Sequence, residues 1–336
     1  MDFNDKVRGI CFLFQTGVAI IGNSLLLVLH ACVFLLGQRP KPTDLIIAHL
    51  SLVHVMMLLI RVVTVTMSSL GLDLIQTNVG CKIFAYMYRI TRSLSFSTTC
   101  LLSVVQAITM SPSSSLWAQL KPLAPKCVLP ACTFFCILNL LTETNLLLQL
   151  CLAHNGTSRE RRFNDNYCST VPLSTPLLWL FLTFKSVRDV FTLGLMSCSS
   201  GYMVLLLYQH RQQTLHLHSS YLSPKSSPER RATQTILLLV SFFIAFYCAD
   251  FVLFLFLGTS LRNDFVLLSA NMFVVNGFAT VSPLVLLSSH PWLSKFWISL
   301  NEKKIPPPWP SPCCGPCFHL MFGVSRRDVS LPTLPV

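Results

Sequence analysis

Two sets of residues in this chain have types and spacings that could do chemistry. Near one end, Cys314-Gly315-Pro316-Cys317 spells a C-x-x-C, the spacing used for dithiol–disulfide exchange. Elsewhere, charged side chains interrupt apolar stretches: Arg61, Arg89, Arg92, Lys185 and Arg188, against Glu143, Asp189 and Asp250. Charges placed that way recognise ligands or ions, or pair with one another. His49 and His54 are also candidates. Their spacing is not the i, i+4 of a helical metal pair, and no cysteine or carboxylate stands nearby. They read as core or hydrogen-bonding histidines. No Ser-His-Asp, zinc or nucleotide-binding pattern is present, so no enzyme activity and no cofactor are expected.

The elements that must position these residues are set by composition. The chain has 336 residues, 52% hydrophobic and 11% charged, where a soluble domain carries about 25% charged residues. Mean hydropathy is +0.60. Such a chain cannot cover its apolar surface with polar groups, so its solvent is lipid. The net charge of +12 then fits basic loops beside anionic membrane lipid rather than nucleic acid. Most of the 14 cysteines lie in apolar runs, where they act as small hydrophobes.

A membrane-crossing helix needs about 20 mostly apolar residues. Seven stretches qualify, at 10–36, 44–69, 82–109, 127–150, 179–208, 233–258 and 265–288. The third and fifth are weaker because they hold charges. No repeat of about 20–50 residues is visible, and the halves do not mirror each other as a transporter's would. The expected fold is an all-α membrane protein, a seven-transmembrane helix bundle with its N-terminus outside and its C-terminus cytoplasmic. Residues 1–9 form an extracellular N-terminus and 10–290 the bundle, with the first span serving as its own signal. Residues 291–304 form an interfacial amphipathic helix, from Trp292, Leu293, Phe296, Trp297 and Leu300 on one face. Residues 305–336 form a Pro/Cys-rich cytoplasmic tail.

The orientation follows from Lys and Arg placement. The inner segments would hold Arg39, Lys41, Lys121, Lys126, Arg211, Lys225, Arg230 and Arg231, with five more basic residues in the tail; the outer ones hold fewer. Asn155-Gly156-Thr157 is a glycosylation sequon, usable only on the lumenal side. Cys81 and Cys168 fall on that side too. A disulfide between them would pin the second outer loop over the bundle, and two free thiols are the alternative. The C-x-x-C falls on the opposite, cytosolic side behind "PPPWPSP", without the strand and helix that a redox dithiol needs. Cys313, Cys314 and Cys317 read instead as palmitoylation acceptors or plain thiols.

Local motifs narrow the class. "RPKPTDLIIAHLSL" at 39–52, "YRITRSLSFSTTCLLSVVQAITMSPSSSLWAQLK" at 88–121, "RDVFTLGLMSCSSGYMVLLLYQHRQQTLHLHSS" at 188–220, "RATQTILLLVSF" at 231–242 and "NGFATVSPLVLLSS" at 276–289 resemble the vomeronasal type-1 receptors, G-protein-coupled pheromone receptors. The resemblance spans most of residues 15–290. It implies a receptor for a small odorant or pheromone bound between the helices. It also implies coupling to an inhibitory-class heterotrimeric G protein, at the plasma membrane of chemosensory neurons. Like that family, the chain has Gln106-Ala107-Ile108 and Ser282-Pro283-Leu284 where rhodopsin-like receptors carry their switch motifs. It departs from the family at His54, usually Asn, and at Val62-Val63-Thr64, usually Gly-Ile-Pro, which removes an expected kink. A signalling-impaired receptor is therefore the alternative, and a channel or transporter a third reading.

Given that resemblance, the charges suggest a ligand site. Arg92 lies three turns, about 16 Å, below Cys81, with Tyr88 one turn above it and Arg89 on the adjoining edge. The expected cavity is lined by Tyr88, Arg89, Arg92, Arg188, Asp189 and Asp250. Two alternatives remain: Arg92 ion-paired with Asp250 or Glu143, and Lys185 and Arg188 snorkelling to headgroups. Five basic against three acidic residues favour an anionic or strongly accepting ligand. On the inner face, the resemblance places a G-protein contact at Lys121, Tyr208, His210 and Arg211.

Overall fold

The computed structural model describes residues 3–35, 41–69, 78–152, 168–170, 175–217, 228–259 and 265–289. Within them run seven long helices: α1 (Phe3–Leu35), α2 (Pro42–Ser69), α3 (Asn78–Met110), α4 (Ala124–Gln149), α5 (Thr175–Leu217), α6 (Pro228–Thr259) and α7 (Phe265–Ser289). Each covers one of the apolar stretches read from the sequence. Six are long and apolar enough to cross a membrane, and α7 contributes a shorter apolar segment, Phe273–Ser288. Helices pair nearly all their backbone donors and acceptors internally, which lipid requires; where Pro283 interrupts α7, the Ala279 carbonyl accepts from Asn23 instead. Pro228 stands at the first position of α6, where its missing N–H costs no hydrogen bond. Helix α2 runs unbroken through Val62-Val63-Thr64, without an internal proline.

A feature absent from the sequence reading is a small antiparallel hairpin, β1 (Leu150–Leu152) with β2 (Cys168–Thr170), in the register Leu152 opposite Cys168. Both strands lie against α3. Helices α1, α2, α4, α5, α6 and α7 form a closed ring of neighbours, and α3 fills its middle, touching α2, α4, α5 and α6. That position explains why the third stretch looked weak. Of the α3 apolar window 67% is buried, against 39% or less in the other five. A helix that meets protein on most sides has no need of a fully apolar surface.

The main apolar core occupies one half of the bundle. Leu26, Ile46, Leu50, Leu102, Met203 and Leu239 are fully or almost fully buried there, close to the C-terminal end of α3. Outward faces carry Phe14, Ile21, Leu129, Trp179 and Phe191, all exposed to the lipid side. Since lipid is as apolar as these side chains, helix association in a membrane rests on close packing and polar contacts. Two glycines serve the packing. A side chain at Gly277 would collide with the Phe246 ring across the α6–α7 contact, and one at Gly22 would press on Pro283 across α1–α7.

Candidate functional site: a charged cluster inside the bundle

Charges collect in the other half of the bundle, toward the N-terminal end of α3. Glu143 of α4 is completely buried and is their hub. Ser93 Oγ donates to Glu143 Oε1 at 2.8 Å. Lys185 Nζ lies 3.2 Å from the same oxygen and an Arg188 guanidinium nitrogen 3.5 Å from it. Arg89 approaches Oε2 at 3.9 Å. Lone pairs on one carboxylate thus tie α3, α4 and α5 together. A buried carboxylate requires such partners, because desolvating an unpaired one costs several kcal/mol.

Arg188 does not snorkel. Its side chain is only 8% exposed. It spans the 2.9 Å contact to Asp189 Oδ1, a 3.0 Å hydrogen bond to Asn139 Oδ1 and a further one to Thr142. A planar guanidinium with five donors suits this many acceptors. Lys185 likewise turns inward to Glu143 rather than out to headgroups.

Arg92 forms a separate pair with Asp250 of α6. Of the two partners considered from sequence, Asp250 is the one observed. This pair is more open: the Arg92 side chain is 40% exposed and that of Asp250 18%. One turn deeper lies an aromatic floor. Phe96 stacks on Tyr247 and Phe243 at centroid distances of 5.3 and 5.2 Å. Phe243 meets Phe278 edge-on at 4.8 Å. Offset and edge-on rings at such distances are favoured by their quadrupoles.

Beside that floor His54 is fully buried and hydrogen-bonded through both ring nitrogens. Nδ1 pairs with Asn23 Oδ1 at 3.2 Å and Ser282 Oγ at 3.1 Å, and Nε2 with Ser95 Oγ at 2.8 Å. Its ring edge meets Phe278 at 5.4 Å. Asn23 Nδ2 donates to the carbonyls of Ala19 and Ala279. One imidazole therefore joins α1, α2, α3 and α7. His49 pairs with Thr98 Oγ1 at 3.2 Å. Both histidines are hydrogen-bonding residues, as their spacing suggested.

Tyr88, one turn from Arg92 on α3, also meets a second set of residues. It packs on the small apolar cluster of Ala19, Met57, Leu58 and Ala279, and the Arg61 guanidinium lies 5.1 Å from its ring centre.

At the opposite end, Gln106 Nε2 donates to Thr233 Oγ1 at 3.1 Å, linking α3 to α6. Ser111 Oγ and Tyr202 OH are 3.1 Å apart, linking α3 to α5. Lys121 follows the short 3₁₀ turn Leu116–Leu120 and is half-buried. Tyr208 is 60% exposed and accepts a hydrogen bond from Gln212. His210 is exposed. The side chains of Arg211, Cys81 and Cys168 lie outside the described residues, as do Asn155, Cys313, Cys314, Cys317 and the segment 291–304.

These charged and aromatic residues sit in a bundle whose sequence has known relatives. The family model described as the vomeronasal organ pheromone receptor family matches residues 6–299. The chain belongs to this family. It is 38% identical to vomeronasal type-1 receptor 42 of Mus musculus, over 89% of this chain and 91% of that protein. It is 38% identical to vomeronasal type-1 receptor 94 of Rattus norvegicus, over 90% and 92%. With vomeronasal type-1 receptor A11 of Mus musculus it shares 39% identity, over 83% and 87%. This member of the vomeronasal pheromone receptor family is thus a multi-pass membrane protein. Its relatives are receptors rather than enzymes.

Sequence reasoning named Tyr88, Arg89, Arg92, Arg188, Asp189 and Asp250 for the site. The vomeronasal-receptor bundle brings Arg89, Arg188 and Asp189 together around Glu143 and sets Arg92 with Asp250 beside them. Glu143 as hub was missed, along with Lys185, Ser93 and Asn139. A lone carboxylate in the middle of the fourth apolar stretch was the available signal.

Proposed function

We propose that this receptor binds a small pheromone or odorant between its helices and activates an inhibitory-class heterotrimeric G protein. The observation that carries the reading is the Arg92–Asp250 pair. It bridges α3 and α6, keeps accessible surface on both side chains, and lies over the aromatic floor of Phe96, Tyr247 and Phe243. An apolar body would rest on the rings while a polar group competes for the guanidinium, the mixture of apolar wall and few convergent polar groups that small-molecule sites use. The excess of basic over acidic side chains in the spans favours an anionic or strongly accepting ligand.

The rest of the reading follows the family resemblance. The N-terminus is outside, a disulfide joins Cys81 to Cys168, and Asn155 carries a glycan. The contact of β2, which opens on Cys168, with the helix that carries Cys81 supports the disulfide. Lys121, Tyr208, His210 and Arg211 face the G protein, and Cys313, Cys314 and Cys317 accept palmitate. The plasma membrane of chemosensory neurons is the expected location.

The test is a cellular one. Cells expressing the full chain and an inhibitory-class G protein are exposed to sulfated and carboxylated small molecules and their neutral counterparts. A dose-dependent fall in cyclic AMP, absent from untransfected cells, is expected. Responses to no compound from a chain that reaches the cell surface would favour the signalling-impaired alternative.

A further inference from the structure

Most basic side chains in the spans have a carboxylate. Arg89, Lys185 and Arg188 share Glu143, Arg188 also meets Asp189, and Arg92 meets Asp250. Arg61 does not: among the described residues no acidic group lies within ion-pair distance of it. Its guanidinium rests against the Tyr88 ring, and its Nε is buried without a hydrogen-bond partner.

The neighbours share that condition. Tyr88 OH, Gln15 Oε1 and both amide atoms of Asn276 are buried and unpartnered, and Asn276 is completely inaccessible. These atoms lie at one level. Ala19, Met57, Leu58 and Ala279 form an apolar cluster on which Tyr88 packs. Gln15 precedes Ala19 by one turn of α1, and Asn276 precedes Ala279 by one turn of α7. Arg61 follows Leu58 by one turn of α2, which runs antiparallel to α3, as the successive His49–Thr98, His54–Ser95 and Arg61–Tyr88 contacts show, and to α1, as the Asn23–His54 contact and the shared cluster of Ala19 with Met57 and Leu58 show. Gln15 also reaches α7, donating to the Phe273 carbonyl at 3.2 Å and Thr280 Oγ1 at 3.3 Å. The four side chains therefore crown the same apolar cluster, on the side toward the N-terminal end of α3.

A buried polar group without a partner costs about 1–3 kcal/mol. Several at one place mark a site built to be completed. The groups here are a guanidinium and an amide as donors, two amide oxygens as acceptors, and a hydroxyl able to do either. We infer that Gln15, Arg61, Tyr88 and Asn276 form a second polar subsite, between α1, α2, α3 and α7, that receives the anionic head of a small molecule such as a carboxylate. This subsite deepens the small-molecule reading given above and rests on it. It offers the anionic head Arg61, the one arginine or lysine among the eight charges of the spans that no carboxylate balances among the described residues, while Asp250 stays beside Arg92.

Purified full-length chain in detergent is heated with benzoate, or with neutral benzamide, at millimolar concentration. Benzoate is expected to raise the melting temperature of the unmodified chain by about 2–4 °C, and benzamide far less. Arg61→Gln should abolish the benzoate shift, and Arg61→Lys should keep part of it, which shows that the site still folds. Arg231→Gln, which removes an exposed cation near the start of α6 and far from the subsite, should keep the full shift. An unmodified chain that benzoate does not stabilise, or an Arg61→Gln chain stabilised as much as the unmodified one, overturns the subsite. A shift lost only in an Arg92→Gln/Asp250→Asn chain also overturns it, while leaving the Arg92 reading standing.

Discussion

Glu143 Oε1 lies 3.2 Å from Lys185 Nζ, and the carboxylate is completely buried. With Arg188 and Arg89 also close, removing this single negative charge would leave three cations facing one another. Breaking a buried ion pair by deleting one partner costs about 3–5 kcal/mol. Glu143→Gln is expected to lower the melting temperature of the purified receptor and its cell-surface level sharply. A surface-biotinylation assay beside a thermal scan checks both.

His54 is the junction of four helices. His54→Ala strands Asn23 Oδ1 and frees the hydroxyls of Ser95 and Ser282, at about 1–3 kcal/mol for each buried group left unpaired. It also removes the ring contact with Phe278. The expected result is a receptor that is destabilised at every ligand concentration, measured by thermal unfolding. Unchanged unfolding would mean that the network adds nothing to stability.

Gln106 and Thr233 clasp α3 to α6 at the end opposite the charged cluster. A neutral buried hydrogen bond contributes about 0.5–1.5 kcal/mol. If an active state requires α3 and α6 to part there, Gln106→Leu shifts the resting population about 2- to 10-fold toward it. Ligand-free G-protein signalling should therefore rise, read as basal cyclic AMP below that of cells expressing the unmodified chain.

Gly277 faces the Phe246 ring with no room for a methyl group. Overpacking of this kind costs about 1–3 kcal/mol. Gly277→Ala should reduce surface expression, and Gly277→Ala with Phe246→Leu should recover part of it.

The seven helices were legible because lipid imposes one rule, about 20 apolar residues per crossing; six helices meet it and α7 follows it with a shorter apolar segment. Their ends were not. Helix α5 extends over Thr175–Leu217, past the apolar window, because a helix continues into water wherever propensity and tertiary contact allow. The hairpin was invisible for a different reason. Three-residue strands leave no periodic pattern, and theirs is set by the α3 surface on which they lie. The charged residues could be found one by one, since any charge in a span stands out. Their partners could not. Arg92 with Asp250 and Ser93 with Glu143 are contacts between helices far apart in sequence, which no spacing rule encodes. Tyr88 shows the limit most clearly: its helical stripe set it one turn from Arg92, but no spacing rule could supply the Arg61 guanidinium of α2 that lies over its ring.

The central claim is that a ligand engages the Arg92–Asp250 pair over its aromatic floor, and one measurement tests it most directly. Dose–response curves for each compound active on the unmodified receptor are compared with those of the Arg92→Gln/Asp250→Asn chain, which keeps the shape of the pair and strands no charge. The account predicts at least about a tenfold loss of potency, equivalent to about 1.4 kcal/mol, at equal surface level. Potency unchanged for every active compound would contradict it.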